Sequence, residues 1–465
     1  MNFVPFEWAA DKVLPGSGLK YRVELKDYVL TGADGSAEAS MFGFSYIADG
    51  GEAGRPVAFA YNGGPGAASG WVHMGLLGPE VIKFPGYPDI EAPARWALEP
   101  NRASLLDLCD IVVIDAVGTG WARLLKEEAA GEYYSTGGDA RAFARFIRDW
   151  LTEHGRSGAP VYLIGESYGT IRNVALADVL DEDIDLRGIV HIGTSLNVGA
   201  KGAVYVEPNV RRLGANAAAC WFHHHRDECS REEFVRRAMD FAWSDYARAL
   251  LLGNRLPADE RETVLEKLSY YSGIDREFLR GKGLRFEELD FLLRLKHGEV
   301  LSVYDSRLTY RLASGEGYAA NKMESADIME PDENKDAFSS LIGSAFDEAL
   351  ESYIASELRA PEGREHARDM LEISHRWDYR GYSKDTLSLP EELMRRRPQL
   401  RMLFVNGCYD LSSTFDFVDW YLSRYDLPAE RTDRLVLPAG HASYVGEGMA
   451  EALSAKIRDF ISQRS

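Results

Sequence analysis

Cysteine is scarce in this chain, with four among 465 residues: Cys109, Cys220, Cys229 and Cys408. Four are too few for a disulfide scaffold, and no C-x-x-C pair has zinc-ligand spacing, so reduced thiols and no bound metal are expected. Positive charge is also short. Against 73 Asp and Glu stand 53 Lys and Arg, a net charge of -20, and a field of that sign repels phosphate backbones, which makes nucleic acid a poor partner. Long apolar runs are missing as well. No stretch approaches the roughly 18 uncharged apolar residues of a membrane span, so no membrane partner is expected. The first thirty residues lack the basic start, apolar run and small-residue cleavage site of a secretory signal, and a cytoplasmic location follows as the expectation. What remains is ordinary for a globular protein: 45% hydrophobic and 11% aromatic residues. That is enough for a substantial core, in two or three domains or in one large domain with an insertion.

From Tyr21 to Tyr46 the segments YRVELKDYVL and ASMFGFSYIA flank the turn-like TGADGSAE, a pattern of antiparallel strands. PVAFAYNGG, DIVVIDAVG and VYLIGES are short apolar runs ending in glycine-bearing turns, as strands buried on both faces are. Between the last two, DARAFARFIRDWLTEHG has apolar residues at helical spacing and a terminal glycine, Gly155. This strand-helix-strand rhythm stops after GIVHIGTSLN. From about Ala200 to Arg380 charged helical stretches such as SREEFVRRAMDFAWSDYARALLL dominate, and the buried-strand pattern then resumes with LRMLFVNG and RLVLPAG. The expected architecture is α/β. One mostly parallel sheet is built from residues 1–198 and 386–465, with a large, mainly helical cap inserted at 199–385.

The strongest chemical signal is VYLIGESYG. A buried-strand run enters Gly165-Glu166-Ser167-Tyr168-Gly169, and the helix-compatible TIRNVALADVL follows. This is the context of a nucleophile elbow of the α/β-hydrolase type, in which flanking glycines permit a tight turn that exposes the serine hydroxyl. A serine hydroxyl is a weak nucleophile unless a base takes its proton, so a histidine held by a carboxylate is required further along the chain. FVNGCYD places Asp410 just beyond one strand run, and LVLPAGHAS places His441 just beyond the next. His441 is the one histidine of the ten that follows Asp410. Asp416 and Asp419 compete for the acid role, but they lie in a helical stretch and read as solvated. YNGGPGAASG, Tyr61 to Gly70, is a glycine-rich turn able to bring backbone N–H groups to an oxyanion.

In that order, YNGGPG, IDAVGTGWAR, GESYG, GCYD and AGHAS resemble the serine carboxypeptidases and carboxypeptidase-like proteins over roughly residues 20 to 195 and 395 to 460. HMGLLGP and YDLSST are similar to the bacterial branch of that family. The resemblance implies Ser167 as nucleophile, His441 as base, Asp410 as its orienting acid, and the amides of Gly64 and Tyr168 as the oxyanion hole. It also implies that Asn62, the Gly63 amide and Glu166 bind the terminal carboxylate of a substrate. Two departures matter: Ala60 stands where the secreted members have tryptophan, and Leu76 where they have a second glutamate. Strict specificity for C-terminal residues is thereby put in question, whereas acyl transfer to Ser167 is not. Ala67 replaces a cysteine that many relatives pair in a disulfide.

The expected function is therefore cleavage of a peptide or peptide-like amide, at its C-terminal residue, through an acyl-enzyme on Ser167 with no cofactor. An acyltransferase, esterase or amidase using the same triad is the alternative, and an intact Ser, Asp and His set argues against a non-catalytic binding protein. His223, His224 and His225 read as a solvated or substrate-facing cap segment, because adjacent helical residues point in different directions. The acidic run from Met323 to Phe338 reads as a solvated loop, and Asp115 as structural.

Overall fold

Alternating side-chain direction decides how the strands of this chain are used. In the computed structural model, which describes residues 3–51, 53–90, 94–196, 208–311, 336–368, 370–379 and 381–463, the strands are β1 (Glu7–Val13), β2 (Lys20–Thr31), β3 (Ala37–Ala48), β4 (Val57–Tyr61), β5 (Glu80–Lys83), β6 (Ala97–Pro100), β7 (Asp110–Asp115), β8 (Arg123–Leu124), β9 (Val161–Glu166), β10 (Leu186–Ile192), β11 (Glu299–Leu301), β12 (Thr309–Arg311), β13 (Arg401–Gly407) and β14 (Thr432–Leu437). Ten of them form one sheet in the order β1-β2-β3-β7-β4-β9-β10-β13-β14, with β8 paired to β3. From β7 to β14 every pairing is parallel, and β1, β2, β3 and β7 are joined antiparallel. Along β4, Phe59 and Tyr61 go to one apolar cluster and Ala58 and Ala60 to the other, so both faces of the sheet are covered.

The helix Thr136–Glu153 follows from the expected periodicity. Its start is capped by Ser135, whose hydroxyl accepts from Gly138 N, and its C-terminal exit passes through Gly155 at φ 64°. Phe143, Phe146, Ile147 and Trp150 are buried on one face of the sheet, each contributing about 1.5–3 kcal/mol through the apolar surface it removes from water. The C-terminal helix Met449–Ser462 covers the other face through Leu453, Ile457 and Phe460.

Between β10 and β13 the described residues form helices and the small β11-β12 hairpin. This segment has its own apolar cluster, including Leu213, Phe241, Tyr246, Leu268 and Phe291, which runs into Cys408, Tyr409, Leu411 and Phe415 of the sheet domain. Further along, Phe346 and Leu350 of the helix Ser344–Glu357 pack into the sheet's own core. The junction near residue 198 lies outside the described residues, as does the acidic run up to Lys335. Asp336 is described, and its carboxylate accepts from Val303 N and Ser302 Oγ, each at 3.0 Å. All four cysteines are free thiols. Among the described residues no helix is long and apolar enough to cross a membrane, and no group of three or more His, Cys, Asp or Glu is placed to hold a metal.

Candidate active site

Ser167 sits at the sharp turn between β9 and the helix Gly169–Val179, with φ 59°. A left-handed conformation in a non-glycine residue costs on the order of 1–3 kcal/mol, which the packing of the turn must offset. That packing is backbone against backbone. A Cβ on Gly165 would lie 2.2 Å from Gly169 O, and one on Gly63 would lie 2.4 Å from Tyr168 N and 2.6 Å from Gly169 N. Gly165, before the serine, is thus required by space, and Gly63 presses the glycine-rich turn after β4 onto the elbow. Ser167 N donates to Ile192 O at 2.9 Å, tying the elbow to the end of β10. The start of the following helix directs its positive end toward the same point.

Beyond β10, Gly193 has φ 58°, and a Cβ there would meet His441 Cε1 at 3.0 Å and Nδ1 at 3.2 Å. The imidazole therefore lies against the residue that follows Ile192, beside the elbow. Its Nδ1 is 2.8 Å from Asp410 Oδ2. Asp410 also accepts from Ser412 N at 2.8 Å, from Ser413 N at 3.0 Å and from Ser413 Oγ at 2.5 Å. Asp410 is fully buried, and these bonds supply what a buried carboxylate needs. Burial works against a charged His441, but the charge and hydrogen bond of Asp410 and the charge of Glu166 outweigh it and hold the imidazole above its usual range. Among the described residues the His441 ring bonds to Asp410 and Ser413, and no bond joins it to Ser167 Oγ. Such nucleophile-base contacts are commonly long until substrate is bound.

Glu166 points into the same region and is buried. Burial, against the opposing influences of His441, Tyr444 and Asn62, raises its carboxyl to about 7. Asn62 is held from two sides: its side-chain oxygen accepts from Val72 N at 2.9 Å, and its carbonyl accepts from Arg172 Nη1 at 2.6 Å. Arg172 is itself buried, pairs with Asp139 at 2.6 Å, and packs over Tyr61, Phe143 and Tyr168. Asp115 is buried behind the turn, where Oδ1 accepts from Ser69 N at 2.9 Å.

Sequence reasoning missed several groups that hold this geometry. Ser413 was signalled only by its spacing three residues after Asp410. Arg172 is the one basic residue in its helix, Gly169–Val179, but nothing in the sequence named Asp139 as its partner. The residues leading into β12 were also missed: Val303 O accepts from Leu411 N and Ser412 N, Tyr304 O accepts from His441 N at 2.7 Å, and Arg307 donates to Pro438 O at 3.0 Å. The inserted segment thus binds both the acid loop and the histidine loop. One expectation is corrected. Asp416 is not solvated but buried, and its Oδ2 accepts from Gly214 N at 2.8 Å and Ala215 N at 3.2 Å. Burial raises its carboxyl to about 6. Asp419, by contrast, is partly exposed and pairs with Arg434. His223, His224 and His225 each bond a different partner, Ser306 O, Leu295 O and Glu228.

A turn of backbone amides beside a strained serine, with Asp410 and His441 adjoining, is the arrangement of an acyl-transfer site. Residues 21–189 match the family model of the serine carboxypeptidases. The matched stretch holds Asn62, Gly63, Gly64, Glu166, Ser167 and Tyr168, whereas Asp410 and His441 lie beyond it and rest on geometry. Among solved structures, a prohormone-processing carboxypeptidase of Saccharomyces cerevisiae, Kex1, superposes with a TM-score of 0.52 at 14% identity, covering 98% of this chain and 90% of that one. At that identity the likeness shows the fold, which is that of the α/β-hydrolases. The peroxisomal α/β-hydrolase Lpx1 of the same yeast gives a TM-score of 0.42 at 10% identity, covering 100% of this chain and 91% of that one. No curated protein sequence matches the chain.

Proposed function

We propose that this protein is a serine peptidase that removes the C-terminal residue of a peptide or peptide-like substrate. The observation that carries this reading is the pairing of two features at one sheet end. The strained Ser167 elbow adjoins the Asp410-His441 pair, and a buried carboxyl that holds its proton near neutrality, Glu166, lies beside Asn62. Ser167 Oγ attacks the scissile carbonyl while His441 Nε2 takes its proton. The N–H groups of Gly64 and Tyr168 receive the developing oxyanion, and the imidazolium, steadied by Asp410, gives its proton to the leaving amine. Water activated by His441 then clears the ester. Protonated Glu166, with Asn62 and the Gly63 amide, shares a proton with the carboxylate of the departing residue.

Leu76 favours a second reading. It stands where the resemblance implies a second carboxyl for carboxylate recognition and is buried in the apolar core, so an ester, an amide or an acyl acceptor other than water is compatible with the same triad. HMGLLGP and YDLSST support a place on the bacterial branch. A cytoplasmic location is part of the proposal, and recovery of the protein from a periplasmic or culture fraction would overturn it.

The test is intact-protein mass spectrometry after fluorophosphonate treatment, with Ser167→Ala alongside, followed by turnover of a blocked dipeptide and its C-terminal amide. Labelling confined to Ser167 and faster cleavage of the free acid is the expected result. Faster cleavage of the amide would replace the carboxypeptidase reading with the second one, and absence of labelling would sink both.

A further inference from the structure

Tyr444 follows the base by three residues and is buried, with its hydroxyl donating to Glu166 Oε2 at 2.7 Å. Its ring occupies space that the sequence keeps open. A Cβ on Gly75 would lie 2.2 Å from Tyr444 Cε2 and 2.5 Å from Cδ2, and Phe346 closes the other side at a centroid distance of 6.4 Å. The next residue, Leu76, turns into the apolar core, and its carbonyl is taken by Asn101 Nδ2 at 2.8 Å. The turn that lacks a second acidic side chain therefore carries, one residue earlier, the glycine that admits a phenol to Glu166. We propose that Tyr444 is a positioning residue for recognition of the substrate's terminal carboxylate, holding Glu166 Oε2 so that Oε1 meets the ligand. This rests on the peptidase reading above.

The chemistry suits the task. A second carboxyl would add another titrating group beside a buried one, whereas a phenol stays a neutral donor, because burial and the neighbouring Glu166 hold Tyr444 well above its ordinary range. Four groups face the Glu166 carboxyl: Tyr444 and His441 from the loop after β14, Asp410 from the loop after β13, and Asn62 from the turn after β4. Of these, Tyr444 and Asn62 favour the ionised carboxylate by hydrogen bonding, and His441 does so by charge, while Asp410 opposes it. Removing the phenol hydroxyl should therefore raise the pH at which Glu166 loses its proton.

The experiment compares the full chain with Tyr444→Phe, which keeps the ring, and with Glu166→Gln. Carboxyl 13C NMR on protein labelled in glutamate follows Glu166 directly, with the resonance assigned by its loss in Glu166→Gln. In Tyr444→Phe the titration should move up by about one pH unit. The alkaline limb of kcat/KM for a blocked dipeptide acid should move with it, and by more than the limb for the corresponding amide. An unmoved titration, or equal movement of both limbs, overturns the proposal. A moved titration in a protein that turns over neither substrate would fail the peptidase reading instead, and with it the assignment of this contact to carboxylate recognition. Wild-type turnover of both substrates with an unmoved Tyr444→Phe titration would leave the peptidase standing and remove Tyr444 from it.

Discussion

The contact between the glycine turn and the elbow can be broken by one carbon atom. In Gly63→Ala the new Cβ would lie 2.4 Å from Tyr168 N, 2.6 Å from Gly169 N and 2.8 Å from Glu166 O. All three are backbone atoms of the elbow, so no side chain can rotate away. Ordinary non-bonded separation is about 3.5 Å, so the turn must retreat by about 1 Å. That movement displaces the Gly64 amide from the oxyanion position and the Gly63 amide from the carboxylate position together. Loss of one oxyanion donor costs about 10²–10³ in rate, and a 1 Å misplacement of reacting groups is of similar size, so kcat/KM should fall by about 10²–10³. The assay is steady-state hydrolysis of a blocked dipeptide, with fluorophosphonate labelling rate as a readout independent of leaving group and thermal melting as a check on folding. Gly131→Ala serves as the control, because its Cβ would have no atom within 4 Å. A folded Gly63→Ala protein with kcat/KM within threefold of the parent would refute the placement of the oxyanion turn.

Asp410→Asn should lower kcat by about 10³–10⁴ with little change in melting temperature, since the amide keeps the shape but loses the charge that stabilises the imidazolium; stopped-flow acylation would register it. Ser413→Ala removes a hydroxyl donating to Asp410 at 2.5 Å, and a hydrogen bond to a charged group is worth about 1.5–3 kcal/mol, so kcat should drop at least about tenfold. Arg172→Met breaks the buried pair with Asp139 and should destabilise the fold by about 3–5 kcal/mol, read as a lowered urea midpoint. On pH, His441 must lose a proton to act as base and is held above its usual range, whereas Glu166 must keep one and is raised to about 7. Activity on a free acid should therefore decline as pH rises through about 7, while activity on the amide declines only at higher pH, and coincident profiles for the two would refute the role of Glu166.

Legibility in the sequence followed how local each determinant is. VYLIGE, the glycines around Ser167 and the helical run after it lie within a few residues of one another, so periodicity and turn chemistry located the elbow. Asp410 and His441 were picked out because the loops at parallel-strand ends have predictable positions, and the two side chains lie 2.8 Å apart. β1 went unread, because the apolar residues of EWAADKV, with Trp8, Ala9 and Ala10 consecutive, do not alternate; it forms by pairing antiparallel with β2. Asp416 was misread because helical periodicity can place it on a face but cannot show that the amides of Gly214 and Ala215, some two hundred residues earlier, come to meet that face. Arg172 and Asp139 were separable by composition but not joinable, since their contact depends on how two helices cross.

The inserted segment carries the last consequence. Its chain between Ser302 and Arg307 accepts hydrogen bonds from the acid loop and the histidine loop, and Arg307, itself paired with buried Asp305 at 2.6 Å, reaches Pro438 O. Further on, Met370 N donates to Gly66 O at 2.8 Å and Ala367 exchanges bonds with Gly120, so the same insertion also braces the oxyanion turn. A cap that only filtered substrates could be altered without touching the chemistry. Here the loops of Asp410 and His441 and the glycine turn at Gly66 each bond insertion backbone, so a change such as Asp305→Ala, which leaves Arg307 with only the Pro438 carbonyl of these two partners, should cost up to about 3 kcal/mol in stability. It should also lower kcat on every substrate by a common factor rather than shifting preference among them. A change confined to KM or to substrate preference would show instead that the insertion selects ligands without holding the catalytic loops.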